Sequence, residues 1–556
     1  MRKTALSPNR KLKINVVAGT YVVLIGIGLK KADAKNLLGF AIHRIDHGRC
    51  DEGKWLEGMK VFKQSAASAG ELVSTRDFPI QGFLWQDFTA RPGADYTYRV
   101  VALQGLPGAL VEHPGLDVQC RIKTEAETGP KHSVWFNRGI AGSQAYARKF
   151  GTATPASVGT KATKWLSRGL EEALLSFIAG AKDQTFGLRG SLYEFKHPPV
   201  IEALVLAAQR CKDVKLVIDM RVNASGPHAS NMANIAAAGL TPHVIPRRAS
   251  PSSISHNKFL ILLKKGKPVA VWTGSTNITP SGVFGQSNVG HLVKDAKVAQ
   301  TYMAYWNLLA QDEENKALKP KVEALSPAPP LASAKGTQCV FSPRANVSVL
   351  NAYRDLALGL KQAVFFTSAF GIGQEMGGAF DTLSTLPSYI LMESKGSAAS
   401  TKARTDELLK VRSNQIAIGG GLPSDLANGY MRWMKELEKT GLTKNVHYVH
   451  NKFMLVDPLS ADPMVVTGSA NFSENSTTGN DENMLVIRGD TRVADIYVGE
   501  FVRLWRHYYF RDVMRRLGTR GATKSWLVPD DTWSADFYNP QSRKRFEQQV
   551  FAGPVF

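Results

Sequence analysis

From residue 14 to about residue 125 the chain alternates short apolar runs with turn residues. "YVVLIGIGL", "LLGFAIHRID", "PIQGFLWQDF" and "DYTYRVVAL" are each a strand's length, and "RPGAD" punctuates them. In the last run Tyr96, Tyr98, Val100 and Ala102 fall two apart, so one face is apolar. Strands at this spacing predict a small β-sandwich over residues 1–125. From about residue 130 the period changes. "LSRGLEEALLSFIAGA" reads as an amphipathic helix and "TFGLRGSLYEF" as a strand. "PPVIEALVLAAQRC" is a helix opened by prolines, "VKLVIDM" a buried strand, "NMANIAAAGL" a helix stopped by Gly239, and "TPHVIP" a strand. "SPAPPLASAKG" (326–336) is a linker, after which the alternation restarts with "VLNAYRDLALGLKQ", "AVFFTSAF", "SYILMES", "QIAIGGG" and the helix "LANGYMRWMKELEKTG". A long helix, "ADIYVGEFVRLWRHYYFRDVMRRL", closes the second unit. The pattern predicts an α/β protein with two pseudo-symmetric lobes, over 130–325 and 337–515, behind the sandwich. Residues 516–556 are expected to pack on the lobes.

Each lobe carries the same signature. "HNKFLILLKKGKPVAVWTGSTN" begins at His256 and "HNKFMLVDPLSADPMVVTGSAN" at His450, 194 residues later. Within each, a Lys lies two residues after the His (Lys258, Lys452) and an Asn 21 residues after it (Asn277, Asn471). Residues two apart on a strand share a face, so His and Lys point the same way. "VAVWTGS" and "MVVTGS" are expected to pair with the motif strands as hairpins, which brings His, Lys and Asn to one end of a sheet. Lysine supplies a point charge and asparagine a neutral donor for phosphate oxygens. Histidine serves as nucleophile or general acid. Two such units face to face place an attacker on one side of a phosphorus and a proton donor on the other.

This duplicated His-x-Lys with a downstream Gly-Ser-x-Asn resembles the phospholipase D superfamily over residues 130 to 515. The resemblance implies two α/β lobes, each a mostly parallel sheet flanked by helices, with an active site between them. It implies no metal and no cofactor, and attack on a phosphodiester through a phosphohistidine. The family places an Asp seven residues after the His. Asp457 fits as a supporting residue, but the first motif has Leu263 there. Thirty-two residues after the His stand Glu482 in the second copy and Asn288 in the first. In the family the acidic group of one lobe reaches the histidine of the other, which implies that Glu482 serves His256 and Asn288 serves His450. On that basis His256 is expected to be the nucleophile and His450 the general acid, with Lys258, Lys452, Asn277 and Asn471 on the phosphoryl oxygens. The missing first-motif Asp and the amide also resemble tyrosyl-DNA phosphodiesterase, although the rest of the chain does not match that enzyme. "ARPGADYTYRVVAL" resembles the late strands of a fibronectin type III-like domain.

Charge narrows the partner without deciding it. The chain carries 69 Lys and Arg against 47 Asp and Glu, a formal net charge of +22. That suits nucleic acid, DNA or RNA, and also an anionic phospholipid surface. Arg247 and Arg248, just upstream of His256, are candidate substrate-binding residues. The helix "RLWRHYYFRDVMRR" is either a nucleic-acid face or ordinary packing of Leu504, Tyr508 and Val513. "FGIGQEMGGAF" (370–380) is a candidate apolar rim for a phospholipase. Nuclease, phospholipase and a non-catalytic binder all remain open, with nuclease favoured. Cys50, Cys120, Cys211 and Cys339 are far apart and read as isolated thiols, not a zinc site or a disulfide framework. The basic start and the apolar run 14–29 have the outline of a signal peptide, which would imply secretion. Its glycines and β-branched residues read better as paired strands of a cytoplasmic protein.

Overall fold

The apolar run 14–29 forms an antiparallel hairpin, the first part of the N-terminal sandwich. The computed structural model describes the chain apart from residues 50–51, 68–70, 140–143, 152, 223–225, 329–330, 332, 383, 420–448, 518–525 and 554–556. Strands β1 (Arg2–Leu6), β2 (Lys13–Ala18) and β3 (Val23–Gly28) are followed by β4 (Gly39–Asp46), the short β5 (Lys54–Trp55), β6 (Glu57–Gly58) and β7 (Val73–Ser74), then β8 (Leu84–Asp87), β9 (Asp95–Leu106) and β10 (Ala109–Lys123). Of these, β6 pairs with β7, and the other eight build two four-stranded sheets, ordered β1-β2-β3-β8 and β10-β9-β4-β5. Tyr96, Tyr98, Val100 and Ala102 are buried between them with Ile14, Val16 and Ile25, as their period-2 spacing predicts.

The C-terminal segment packs on the second lobe and on the sandwich as well. It touches the second lobe, where Arg543 donates to the carbonyls of Asn414 (2.9 Å) and Leu409 (2.6 Å). Its aromatic residues, however, complete the sandwich core. Trp533 stacks on Phe83 at 5.6 Å and donates its indole N–H to Leu37 O at 2.8 Å. Gly26 faces the backbone of Phe551 so closely that a Cβ there would stand 2.1 Å from the Phe551 carbonyl. Trp533 and Phe537 add their apolar area to the sandwich core.

The first lobe holds β11 (His132–Phe136), β12 (Phe186–Leu192), β13 (Val214–Asp219), β14 (Val244–Arg247), β15 (Lys258–Lys264), β16 (Lys267–Gly274) and β17 (Val289–Val293), in the order β11-β17-β16-β15-β12-β13-β14. The second repeats it with β18 (Gly336–Ser342), β19 (Val364–Ser368), β20 (Ser388–Met392), β21 (Asn414–Ile418), β22 (Phe453–Val456), β23 (Met464–Gly468) and β24 (Glu482–Arg488), ordered β18-β24-β23-β22-β19-β20-β21. These sheets are mixed, which corrects the expectation of mostly parallel ones. Only β12-β13-β14 and β19-β20-β21 run parallel. The His-x-Lys strand and the Gly-Ser-x-Asn strand are joined by two residues in the first lobe and seven in the second, connections too short for parallel pairing.

Helices Ala296–Leu309 and Thr491–Leu517 lie in a core shared by one face of each sheet, with Tyr302, Tyr305, Tyr497 and Phe501 among the largest contributors. The long helix is therefore a pillar. Leu504 and Tyr508 are buried, and Arg503, Arg506 and Arg516 pair with Glu500, Glu547 and Asp512. This favours ordinary packing over a nucleic-acid face. The stretch expected as one helix before β12, residues 166–181, takes in the end of one helix, Thr160–Ser167, and all of a second, Leu170–Ala179. Arg168 (φ 49°) and Gly169 (φ 87°) turn the chain between them, and Arg168 reaches Glu500 at 2.7 Å. The predicted helix "LANGYMRWMKELEKTG" lies outside the described residues, as does Cys50; Cys120, Cys211 and Cys339 are free and buried.

Candidate active site

Both hairpins form as the spacing predicts, with β15 antiparallel to β16 and β22 to β23. Their glycines have a local reason. A Cβ on Gly274 (φ 138°) would stand 2.2 Å from the Val289 carbonyl, and one on Gly468 2.1 Å from that of Asn483. This close approach lets the next residue tie down the neighbouring strand. Ser275 Oγ accepts the Val289 N–H (3.1 Å) and Ser469 Oγ the Asn483 N–H (3.0 Å). The Gly-Ser pair thus sets the position of the residues just before, Asn288 and Glu482.

Those two side chains cross between lobes. Two isolated parallel bridges, Ser255 with Asp481 and Ser287 with Val449, stitch the lobes on either side of the site. His256 Nδ1 lies 2.9 Å and 3.0 Å from the two Glu482 carboxylate oxygens. His450 Nδ1 lies 2.8 Å from Asn288 Oδ1. The Asn288 amide nitrogen donates to Gly282 O at 2.8 Å and its oxygen accepts from Ser275 Oγ at 2.8 Å. That oxygen is accordingly an acceptor, and His450 Nδ1 carries the proton. Both imidazoles are anchored through Nδ1–H. One anchor is charged and the other neutral.

Lys258 and Lys452 each donate to the carbonyl of their own histidine, at 2.6 Å and 2.7 Å, and an ammonium has three donors. Burial lowers the Lys258 ammonium to about 8, against the pull of Glu482 and Glu194. Burial and Lys258 hold Lys452 well below the ordinary lysine value. Burial likewise lowers His256, with Glu482 opposing and Lys258 assisting. Two ammoniums and an imidazole crowded together in this way are poised for an anion. Asn277 Nδ2 donates to Glu194 Oε2 at 2.6 Å, while Asn277 Oδ1 and Asn471 Oδ1 are buried with no hydrogen-bond partner among the described residues.

Several neighbours escaped sequence reasoning. Tyr193 packs edge-on to His256 at 5.2 Å, and its ring lies 5.6 Å from Lys258 Nζ; burial raises its phenol to about 12. Asp219 accepts the Ser255 N–H at 2.5 Å and Glu393 that of Val449 at 2.8 Å, so each motif histidine is preceded by a residue pinned from a parallel strand's end. The signal was present, since Tyr193, Glu194, Asp219 and Glu393 all follow apolar strand runs where an α/β sheet presents its ligand-facing ends.

Arg247 requires a correction. It is 0% exposed. Its guanidinium contacts Asp481 (3.1 Å) and Asp312 (3.0 Å), and Arg221 joins the same Asp481 at 3.2 Å. Arg247 ties the lobes together and does not face a substrate. Arg248 is exposed, and its backbone N–H donates to Asp312. In the loop 370–380 only the first residue fits a rim: Phe370 is 51% exposed, while Ile372, Met376 and Phe380 are buried.

Asp457 stands at the opposite end of its strand from His450. Its carboxylate accepts the backbone N–H groups of Lys361, Gln362 and Ala363 at 2.7–3.1 Å. Leu263 occupies the equivalent place in the first lobe as a core residue. Asp457→Ala is expected to cost about 2–3 kcal/mol of stability by stranding those donors, while turnover well below the melting temperature stays unchanged. Denaturant unfolding alongside a hydrolysis assay checks this; lost turnover at unchanged stability would place Asp457 in the chemistry.

Residues 174–309 and 422–505 match the family model described as "Cardiolipin synthase, PLD-like domain". The match takes in parts of both lobes. No curated protein matches the chain. Among solved structures it is similar to phosphatidylserine synthase of Haemophilus influenzae Rd KW20 (13% identity, 65% of this chain and 94% of that one, TM-score 0.42). It is also similar to yeast tyrosyl-DNA phosphodiesterase (12%, 57% and 87%, TM-score 0.31) and to Nuc of Salmonella typhimurium (17%, 32% and 95%, TM-score 0.23).

Proposed function

We propose that this chain is a metal-independent phosphodiesterase that works through a phosphohistidine, with nucleic acid as its substrate. The observation that carries the reading is the unequal anchoring of two otherwise matched histidines. Glu482 on His256 Nδ1 favours a cationic ring, which a phosphorylated imidazole is. Asn288 gives His450 orientation without charge, so its proton is more readily released. In the first step His256 Nε2 attacks phosphorus while the bond to the leaving oxygen breaks, and protonated His450 delivers its Nε2 proton to that oxygen. In the second, neutral His450 takes a proton from water, whose oxygen attacks phosphorus and breaks the P–N bond. Lys258, Lys452, Asn277 and Asn471 stabilise the equatorial oxygens.

The +22 charge supports nucleic acid as the substrate. A phospholipid headgroup is the second reading, favoured by exposed Phe370 at the start of the loop 370–380. We also read the sandwich as fibronectin type III-like. Its β2-β3-β8 run facing β10-β9-β4-β5 supports that reading, with a role in recruitment. Parallel hydrolysis assays on single-stranded DNA, duplex DNA, RNA and phosphatidylcholine vesicles, all in EDTA, test the proposal. Nucleic-acid cleavage that persists in EDTA is expected. Activity lost in EDTA and restored by a divalent metal overturns the two-histidine route, and cleavage of vesicle lipid alone transfers the site to the second reading.

A further inference from the structure

The two lobes repeat each other in fold but not in charge. Residues 130–325 hold 25 Lys and Arg against 12 Asp and Glu, whereas residues 337–515 hold 19 against 18. Much of the first lobe's excess gathers at one place. Lys264, Lys265 and Lys267 form the β15–β16 turn, Lys182 precedes β12, and Lys212 and Lys215 flank the start of β13. Register brings these segments side by side: Lys264 is paired with Phe186, Lys265 N–H bonds to Thr185 O, and Leu188 lies beside Val214. All six lysines are exposed, and none pairs with a carboxylate among the described residues. Nearby Asp213 is engaged by Arg189 at 2.9 Å, leaving Asp183 as the acid in the group.

The equivalent end of the second lobe is built differently. Its β22–β23 turn reads "DPLSADP", without a lysine. Arg2 of the sandwich donates to the carbonyls of Pro458 and Ser460, covering that turn. In the first lobe the same place is uncovered and basic. It lies at the far end of β15 from His256, roughly 20 Å away for seven residues of strand.

We infer that this lysine-bearing end of the first lobe is a second docking surface for a nucleic-acid chain, separate from the reacting phosphate. A flat anionic bilayer touching it would leave the histidines facing away. A polynucleotide is long and flexible enough to touch both, and its regular negative charge matches the row of ammoniums. The inference rests on the nucleic-acid reading for its partner but not on cleavage for its test.

The test is Lys264→Glu/Lys265→Glu/Lys267→Glu, with the Gln triple variant as a milder partner. Both are compared with wild type for melting temperature and for hydrolysis of bis-p-nitrophenyl phosphate, which are expected to be unchanged. Affinity is measured in EDTA over a salt series for a 30-nucleotide single strand and for a dinucleotide too short to reach the turn. The Glu variant is expected to bind the 30-mer about tenfold or more weakly, with a log–log salt slope shallower by about 2, since each single-strand phosphate contact contributes about 0.7. The Gln variant falls between, and dinucleotide binding does not move. Unchanged 30-mer binding by the Glu variant, or no 30-mer binding by wild type at low salt, overturns the surface. Loss of binding to phosphatidylglycerol vesicles with the 30-mer unaffected assigns it to a membrane and overturns it equally. If wild type cleaves only lipid yet the 30-mer still depends on these lysines, the substrate reading falls and the docking surface stands.

Discussion

His256→Ala abolishes turnover on every phosphodiester and leaves no phosphate on the protein, whereas His450→Ala fails conditionally. On a substrate with a poor leaving group the His450 variant loses about 10²–10⁴-fold in rate, because nothing protonates the departing oxygen. With p-nitrophenolate as leaving group no proton is needed, so His256 is still phosphorylated. The intermediate then accumulates, since the base for water is gone. The reasoning rests on the anchors: Glu482 at 2.9 Å stabilises the charged product of attack on His256, and neutral Asn288 at 2.8 Å does not do the same for His450. Acid quench and mass spectrometry locate the phosphate. Phosphate on the peptide containing His450 would reverse the two roles, and its absence from both in an active enzyme would sink the covalent route.

Arg247→Met unfolds more easily by about 3 kcal/mol, the scale expected when one partner of a buried ion cluster is removed. Fully buried Asp481 and partly exposed Asp312 lose a shared guanidinium. The damage extends to catalysis. Asp481 bridges to Ser255 and directly precedes Glu482, so the anchor of His256 loosens and kcat falls with it. The salt dependence of oligonucleotide binding stays as in wild type. Arg248→Ala gives the reverse pattern: little change in stability and, if Arg248 meets a phosphate, a slope shallower by about 0.7. Thermal melting and a salt series on both variants separate the two arginines. Equal stability of Arg247→Met and wild type would remove the inter-lobe role assigned to it.

Strand and helix positions were largely legible because period and length mark them. "PPVIEALVLAAQRC" became the helix Pro198–Cys211, and "DYTYRVVAL" lies within β9 with its tyrosines inward. Beyond the two motif hairpins, sheet direction was not legible, because a strand's pattern does not say which neighbour it takes. The break at Arg168 and Gly169 was hidden inside an amphipathic pattern that continues across it.

Sequence alone determined the repeat, the matched His, Lys and Asn positions within it and the shared face of each His and Lys, since those follow from spacing along one strand. It also determined that the first copy lacks both the Asp after the His and the downstream acid. Tertiary structure decided everything that depends on which distant segments meet. Arg247 and Arg248 are adjacent in sequence, yet one is buried between Asp481 and Asp312 and the other faces solvent. Trp533 closes a core nearly five hundred residues before it. Asp457 caps the backbone of residues 361–363, far from the histidine whose motif it completes. Burial and cross-lobe hydrogen bonds are set by packing between segments, and local periodicity carries no record of that partner.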